Sequence, residues 1–124
     1  GTRFHVGAYS NSGVVPKTNK NVVIQQGCIS ETLPLFLKSN DRSISLIHMD
    51  LDTSETTSRC LEELSQVITQ SAYIIFDQYH GYPAYEVGEQ AAWKKYAEEM
   101  NISWRYLAFS NQQALIHVSA KDLQ

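Results

Sequence analysis

At 124 residues the chain is long enough for one domain with a real core and too short for two. Its net charge of -3, with no block of Lys or Arg, disfavours a nucleic-acid backbone or an anionic membrane as partner. No apolar run approaches the ~20 residues of a membrane span, the N-terminus lacks a signal peptide's basic-then-apolar pattern, and Cys28 and Cys60 lack metal-type spacing, which reads as reduced structural thiols in a cytoplasmic protein.

Residues 1–20, rich in Gly, Ser, Asn, Thr and Lys, read as an entry loop. Asn21 to Gln26, with Val22, Val23 and Ile24 in a row, reads as a short buried strand ended by Gly27. Ser30 to Leu37 suggests a brief helix with Ser30 as its N-cap and Pro34 in its first turn. The run from Ile44 to Asp52 is an apolar strand ending on two carboxylates. Ser54 to Ile68 then carries Cys60, Leu61, Leu64, Val67 and Ile68 at helical spacing, and Ala72 to Gln78 is a second apolar strand ending on Asp77. Strand, helix and strand make a βαβ unit with a right-handed crossover and parallel strands. An aromatic loop from Gln78 to Tyr85 follows. A helix from Glu86 to Met100 comes next, with Trp93, Tyr96 and Met100 on its buried stripe. Strands at 103–109 and 112–119, separated only by Ser110 and Asn111, can form only an antiparallel hairpin.

The expected architecture is therefore a single α/β domain over residues 1–124, with a mostly parallel sheet that ends in an antiparallel hairpin. The two central runs are apolar on both faces, which predicts helices on both sides of the sheet. Parallel neighbours lie ~5 Å apart, so Asp50, Asp52 and Asp77 are expected to meet at the carboxyl rim, where open α/β sheets bind ligands. Carboxylates that close must share a proton, meet a cation or stay hydrated. The plainer reading makes them solvated strand ends, with Asp52 capping the helix at Ser54. His48, in an apolar strand, reads as a core histidine rather than a ligand, whereas His80 beside Asp77 is a candidate to face a pocket. Tyr79, Tyr82 and Tyr85 suit either stacking on a substrate sugar or packing over the sheet edge.

Several stretches resemble a known family. Gly27-Cys28-Ile29-Ser30-Glu31-Thr32-Leu33-Pro34 is similar to Gly-x-Phe-x-Glu-Thr-Leu-Pro. His48-Met49-Asp50-Leu51-Asp52 is similar to His-Ile-Asp-x-Asp. Ile75 to Pro83 is similar to an apolar pair followed by Asp, an acid and Tyr-x-Gly-Tyr-Pro, with Gly88-Glu89 and Ala92-Trp93 opening the next helix. In this order and spacing they resemble the C-terminal half of class I S-adenosylmethionine-dependent methyltransferases of the macrocin O-methyltransferase type, over nearly the whole chain. The resemblance implies a partial Rossmann-like fold closed by a hairpin, and methylation of a hydroxyl on a sugar or natural product. It implies S-adenosylmethionine as cofactor, with Gly27 and Cys28 near the adenine, and magnesium on Asp50, Asp77 and Gln78. Asp50 falls where the base for the acceptor hydroxyl is expected, and Asp52, His80 and Tyr82 line the acceptor side.

Two positions depart from the family pattern: Gln78 stands for an acid, and Thr53-Ser54 for Leu-Tyr. The family's Gly-rich loop and ribose-binding acid have no counterpart in residues 1–20, so the cofactor-binding half is expected outside this chain. The strand at 21–26 is accordingly expected to pair directly beside Ile44–Asp52 or to form a homodimer contact. Two other functions fit the residues. One is a non-catalytic remnant of the fold serving as a binding or dimerisation module. The other is a haloacid-dehalogenase-type phosphatase, with Asp50 as nucleophile and Asp52 as general acid/base in an Asp-x-Asp-x-Thr signature.

Overall fold

The structure is a computed structural model that describes residues 14–40, 43–51, 53–68 and 71–119. Helix α1 spans Ile29–Ser39, strand β1 Leu46–Met49, helix α2 Ser54–Glu63 and helix α3 Ser65–Ile68. Strand β2 follows at Ala72–Phe76, then a 3-10 turn at Tyr85–Val87, helix α4 at Glu89–Glu99, and strands β3 (Ser103–Ser110) and β4 (Gln113–Ser119).

The predicted βαβ unit is present. β1 and β2 pair in parallel, with Ile47 opposite Ile74 and Met49 opposite Phe76, and α2 and α3 lie between them in the chain. The predicted hairpin is present too, turning at Asn111 with φ 48, a left-handed conformation that asparagine tolerates better than most residues. The sheet order is β1-β2-β4-β3. The hairpin thus inserts its second strand against β2, with Phe76 opposite Ala114 and Ala72 opposite Val118. The sheet is mixed, with one parallel pair and two antiparallel ones, rather than mostly parallel.

Alternation along the strands decides which face is buried. Ile74 and Phe76 of β2 and Ala114, Ile116 and Val118 of β4 are buried, and their in-between neighbours are not. They pack with Met49 against Cys60, Leu61 and Leu64 of α2 and its end, Ile68 of α3, and Trp93, Tyr96 and Ala97 of α4. Each large side chain sealed in this way contributes ~1.5–3 kcal/mol. The opposite face carries Leu46, Tyr73 and Leu107, which are 56%, 45% and 42% exposed. Among the described residues the helices therefore cover one face of the sheet, not both. The consecutive apolar residues Ile74, Ile75 and Phe76 had implied two covered faces, but β4 alternates, and β4 is the neighbour of β2.

Five local expectations are also corrected. Residues 22–26 form no strand, and Val23 is 77% exposed, so this run does not pair beside β1. A β-branched run has no ladder to join unless a partner edge reaches it. Helix α1 begins two residues earlier than predicted, with Cys28 rather than Ser30 as N-cap, and holds Pro34 in its interior, where the chain loses one helical hydrogen bond. The cap of α2 is Thr53, whose hydroxyl accepts from the Thr56 N–H at 3.1 Å; Asp52, the expected cap, lies outside the described residues. The long helix from Ser54 breaks at Leu64, and Met100, placed in the buried stripe, is 39% exposed just past the end of α4. No helix among the described residues is long and apolar enough to cross a membrane.

Candidate functional site

The parallel register of β1 and β2 brings their carboxyl ends side by side. The Asp77 N–H donates to the Met49 carbonyl at 3.0 Å, so Asp77 sits beside the peptide that leads into Asp50. The antiparallel insertion of β4 sets its first residue, Gln113, next to the same end, because Ala114 faces Phe76. Asp77 thereby gains two donors onto one oxygen. Gln113 Nε2 donates to Asp77 Oδ1 at 2.6 Å, and His48 Nε2 approaches the same atom at 3.3 Å. The Gln113 amide, with smaller help from His48 and Asp50, holds the Asp77 carboxyl below its usual range, against the opposing effect of burial.

A third acid joins the rim from α4. Glu89, in the first turn of that helix, is 3% exposed. Its Oε1 accepts from the Gln78 N–H at 2.7 Å, while its Oε2 is buried without a hydrogen-bond partner. Burial pushes its carboxyl up to about 7; the Gln78 N–H opposes this, and the charges of Asp77 and Asp50 reinforce it. The next residues are fixed in turn. The Tyr82 hydroxyl donates to the Gln78 carbonyl at 3.0 Å, seated over Gly88, where an added methyl would overlap it. Burial, then Glu89 and Glu86, raise the Tyr82 hydroxyl above its ordinary value.

The structure thus brings Asp50 and Asp77 to one rim with the Gln78 backbone beside them, and adds His48, Gln113 and Glu89; Asp52, the third acid expected there, lies outside the described residues. His48, read as a core histidine, is half-exposed and paired with Asp77. His80 belongs to the hairpin instead: its Nε2 donates to the Gln113 carbonyl at 3.1 Å and its ring meets Phe109 edge-on at 5.2 Å. Tyr79, offered as a stacking platform, is fully buried and hydrogen-bonded to the Tyr106 hydroxyl at 2.5 Å. Two openings flank the rim. An apolar cavity of about 470 Å³ along the outer edge of β1 reaches His48 and Asp50, and a polar one of about 660 Å³ holds Asp77, Gly81 and Gln113.

Gly27 and Cys28 lie before α1. Gly27 has φ 135, and a side chain there would meet Thr32 Cγ2 at 3.1 Å, so this glycine serves the entry into the helix. Cys28 borders a further cavity with Thr56 and Arg59 of α2, and its thiol is lowered by its hydrogen bond with Ser30. Cys28 thus forms part of a cavity wall. Among the described residues no three of His, Cys, Asp or Glu group so as to hold a metal ion, and one oxygen of Asp77 is already taken by two donors. Comparison with protein-family models, curated proteins and solved structures returns no match for this chain.

Proposed function

We propose that this chain is the acceptor-side part of a Rossmann-like, S-adenosylmethionine-dependent O-methyltransferase, acting on a hydroxyl of a sugar or natural product. The observation that carries the reading is the pairing of two adjacent parallel strand ends that deliver Asp50 and Asp77 to one rim, beside a terminal hairpin whose second strand inserts against β2. The motif resemblance supplies the chemistry. The cofactor, when bound, offers an electrophilic methyl group on a sulfonium.

The chain's own part is to hold the acceptor and take its proton. Asp50 is exposed at the mouth of the apolar cavity, where a carboxylate can accept the hydroxyl proton as the oxygen becomes nucleophilic. The apolar bed beside it, with Ile29, Leu33 and Leu46, would exclude water from one side of the acceptor. Positioning is the larger contribution such a site makes, since correct alignment alone lowers a barrier by several kcal/mol.

Calorimetric titration with a panel of sugar and natural-product hydroxyl acceptors tests the part of the reaction this chain would hold. Saturable binding that weakens in Asp50→Asn supports it. A second reading, a non-catalytic module of the same fold, is favoured by the uncovered sheet face with Leu46, Tyr73 and Leu107. A folded chain that binds none of these acceptors would leave that second reading and remove the first.

A further inference from the structure

Two acids at neighbouring strand ends need their charge balanced, and in the family this chain resembles a divalent cation is expected to do it. Here the groups at the rim are a poor match for one. Gln78 brings a neutral amide where an acid is expected. Its backbone is pinned on both sides, by Glu89 at the N–H and by Tyr82 at the carbonyl. Asp77 Oδ1 already accepts from the Gln113 amide at 2.6 Å and faces His48 Nε2 at 3.3 Å. Magnesium demands near-octahedral oxygen ligands at ~2.0–2.1 Å, and an ion placed that close to Oδ1 would press against two N–H groups that point at the same atom.

These donors are built into the fold rather than borrowed from loops. The parallel ladder sets His48 opposite Ile75, and the alternation of side chains puts Asp77 on the face that Ile75 and His48 share. The antiparallel ladder sets Ala114 opposite Phe76 and therefore Gln113 opposite Asp77. A slip of one residue in either strand pair would turn the donor to the other side of the sheet. We propose that in this chain the Gln113 amide and the His48 imidazole take the place of a divalent cation on Asp77, so that its carboxylate is held in place by hydrogen bonds and without a metal. The inference deepens the methyltransferase reading by removing the ion from its acceptor side.

Two measurements test it. In the first, the chain is titrated with manganese while the amide signals of Asp50 and Asp77 are followed by NMR. Weak, non-saturating broadening, no different in Asp77→Asn, is expected. Saturable broadening centred on both residues, competed by magnesium and lost in Asp77→Asn, would overturn the proposal. In the second, the side-chain amide protons of Gln113 are followed through an acid titration, and they should shift together with the protonation of Asp77. A Gln113 amide indifferent to that protonation would also overturn it. Neither readout uses cofactor or acceptor. A chain that behaves as expected here but binds no hydroxyl acceptor sinks only the methyltransferase reading.

Discussion

Glu89→Gln isolates the cost of a buried acid at the rim. The Glu89 carboxyl is 3% exposed and moves from 4.5 to about 7 on folding, chiefly through burial. Between those values the folded chain keeps a proton that the unfolded chain releases, so stability is highest below 4.5 and falls as pH rises towards 7. At 1.36 kcal/mol per unit the full span is about 3 kcal/mol, and about 2.5 kcal/mol of it falls between pH 5 and pH 8. Glutamine keeps the oxygen that accepts the Gln78 N–H and never ionises. Its extra N–H groups replace the unpartnered Oε2, which adds a pH-independent cost of ~1–3 kcal/mol. The diagnostic quantity is therefore the slope rather than the stability at one pH. Urea unfolding of both proteins at pH 5 and pH 8 should show the difference moving by ~2–3 kcal/mol in favour of the variant. Parallel pH profiles would refute the reasoning.

Gln113→Leu removes the largest influence that lowers Asp77, so its carboxyl should titrate closer to the ordinary value in a carbon-detected NMR titration. Asp77 stabilises the fold above its unfolded pKa, and that contribution is lost as pH falls through the folded one. The variant should therefore lose less stability on acidification. Gly88→Ala should push the Tyr82 hydroxyl off the Gln78 carbonyl and cost ~1 kcal/mol in thermal or urea unfolding, and less in a Tyr82→Phe background where the hydroxyl is already gone. Thr53→Ala should cost ~1 kcal/mol by orphaning the Thr56 N–H at the start of α2, read by the same unfolding assay.

What could be read from the sequence was what is local or periodic. The runs at 46–49 and 72–76, the helix between them and the two-residue gap before β4 each carry their own signal, and the rim acids follow from the βαβ unit alone. What could not be read depends on pairings distant in sequence. Gln113 gives no sign of its role until β4 is placed against β2, 36 residues from Asp77. Glu89 sits in the first turn of a helix, where an acid ordinarily stays solvated for the sake of the helix dipole, and only the turn at Gln78 folding over it makes it a buried group. The opposite error came from Val22, Val23 and Ile24, whose β-branched pattern has strong local preference but no neighbouring strand to satisfy it.

The three acids at the rim meet three different environments, and the differences follow from the sheet. Asp50 follows β1, exposed to solvent and within reach of the Asp77 carboxyl. Asp77 ends β2 between two donors that the ladders on either side deliver, and the Gln113 amide above all holds its carboxyl below the usual range. Glu89 comes from the helical layer, is sealed by packing and keeps one oxygen without a partner, so near neutrality it still holds part of its proton. Environments that push neighbouring carboxyls apart are what allow one of them to serve as a fixed charge while another exchanges a proton. Were all three solvated alike, their mutual repulsion would spread over the rim and no site would be specified. It is the one-residue register of β2 against β1 and β4, more than any single motif, that gives this rim its chemistry.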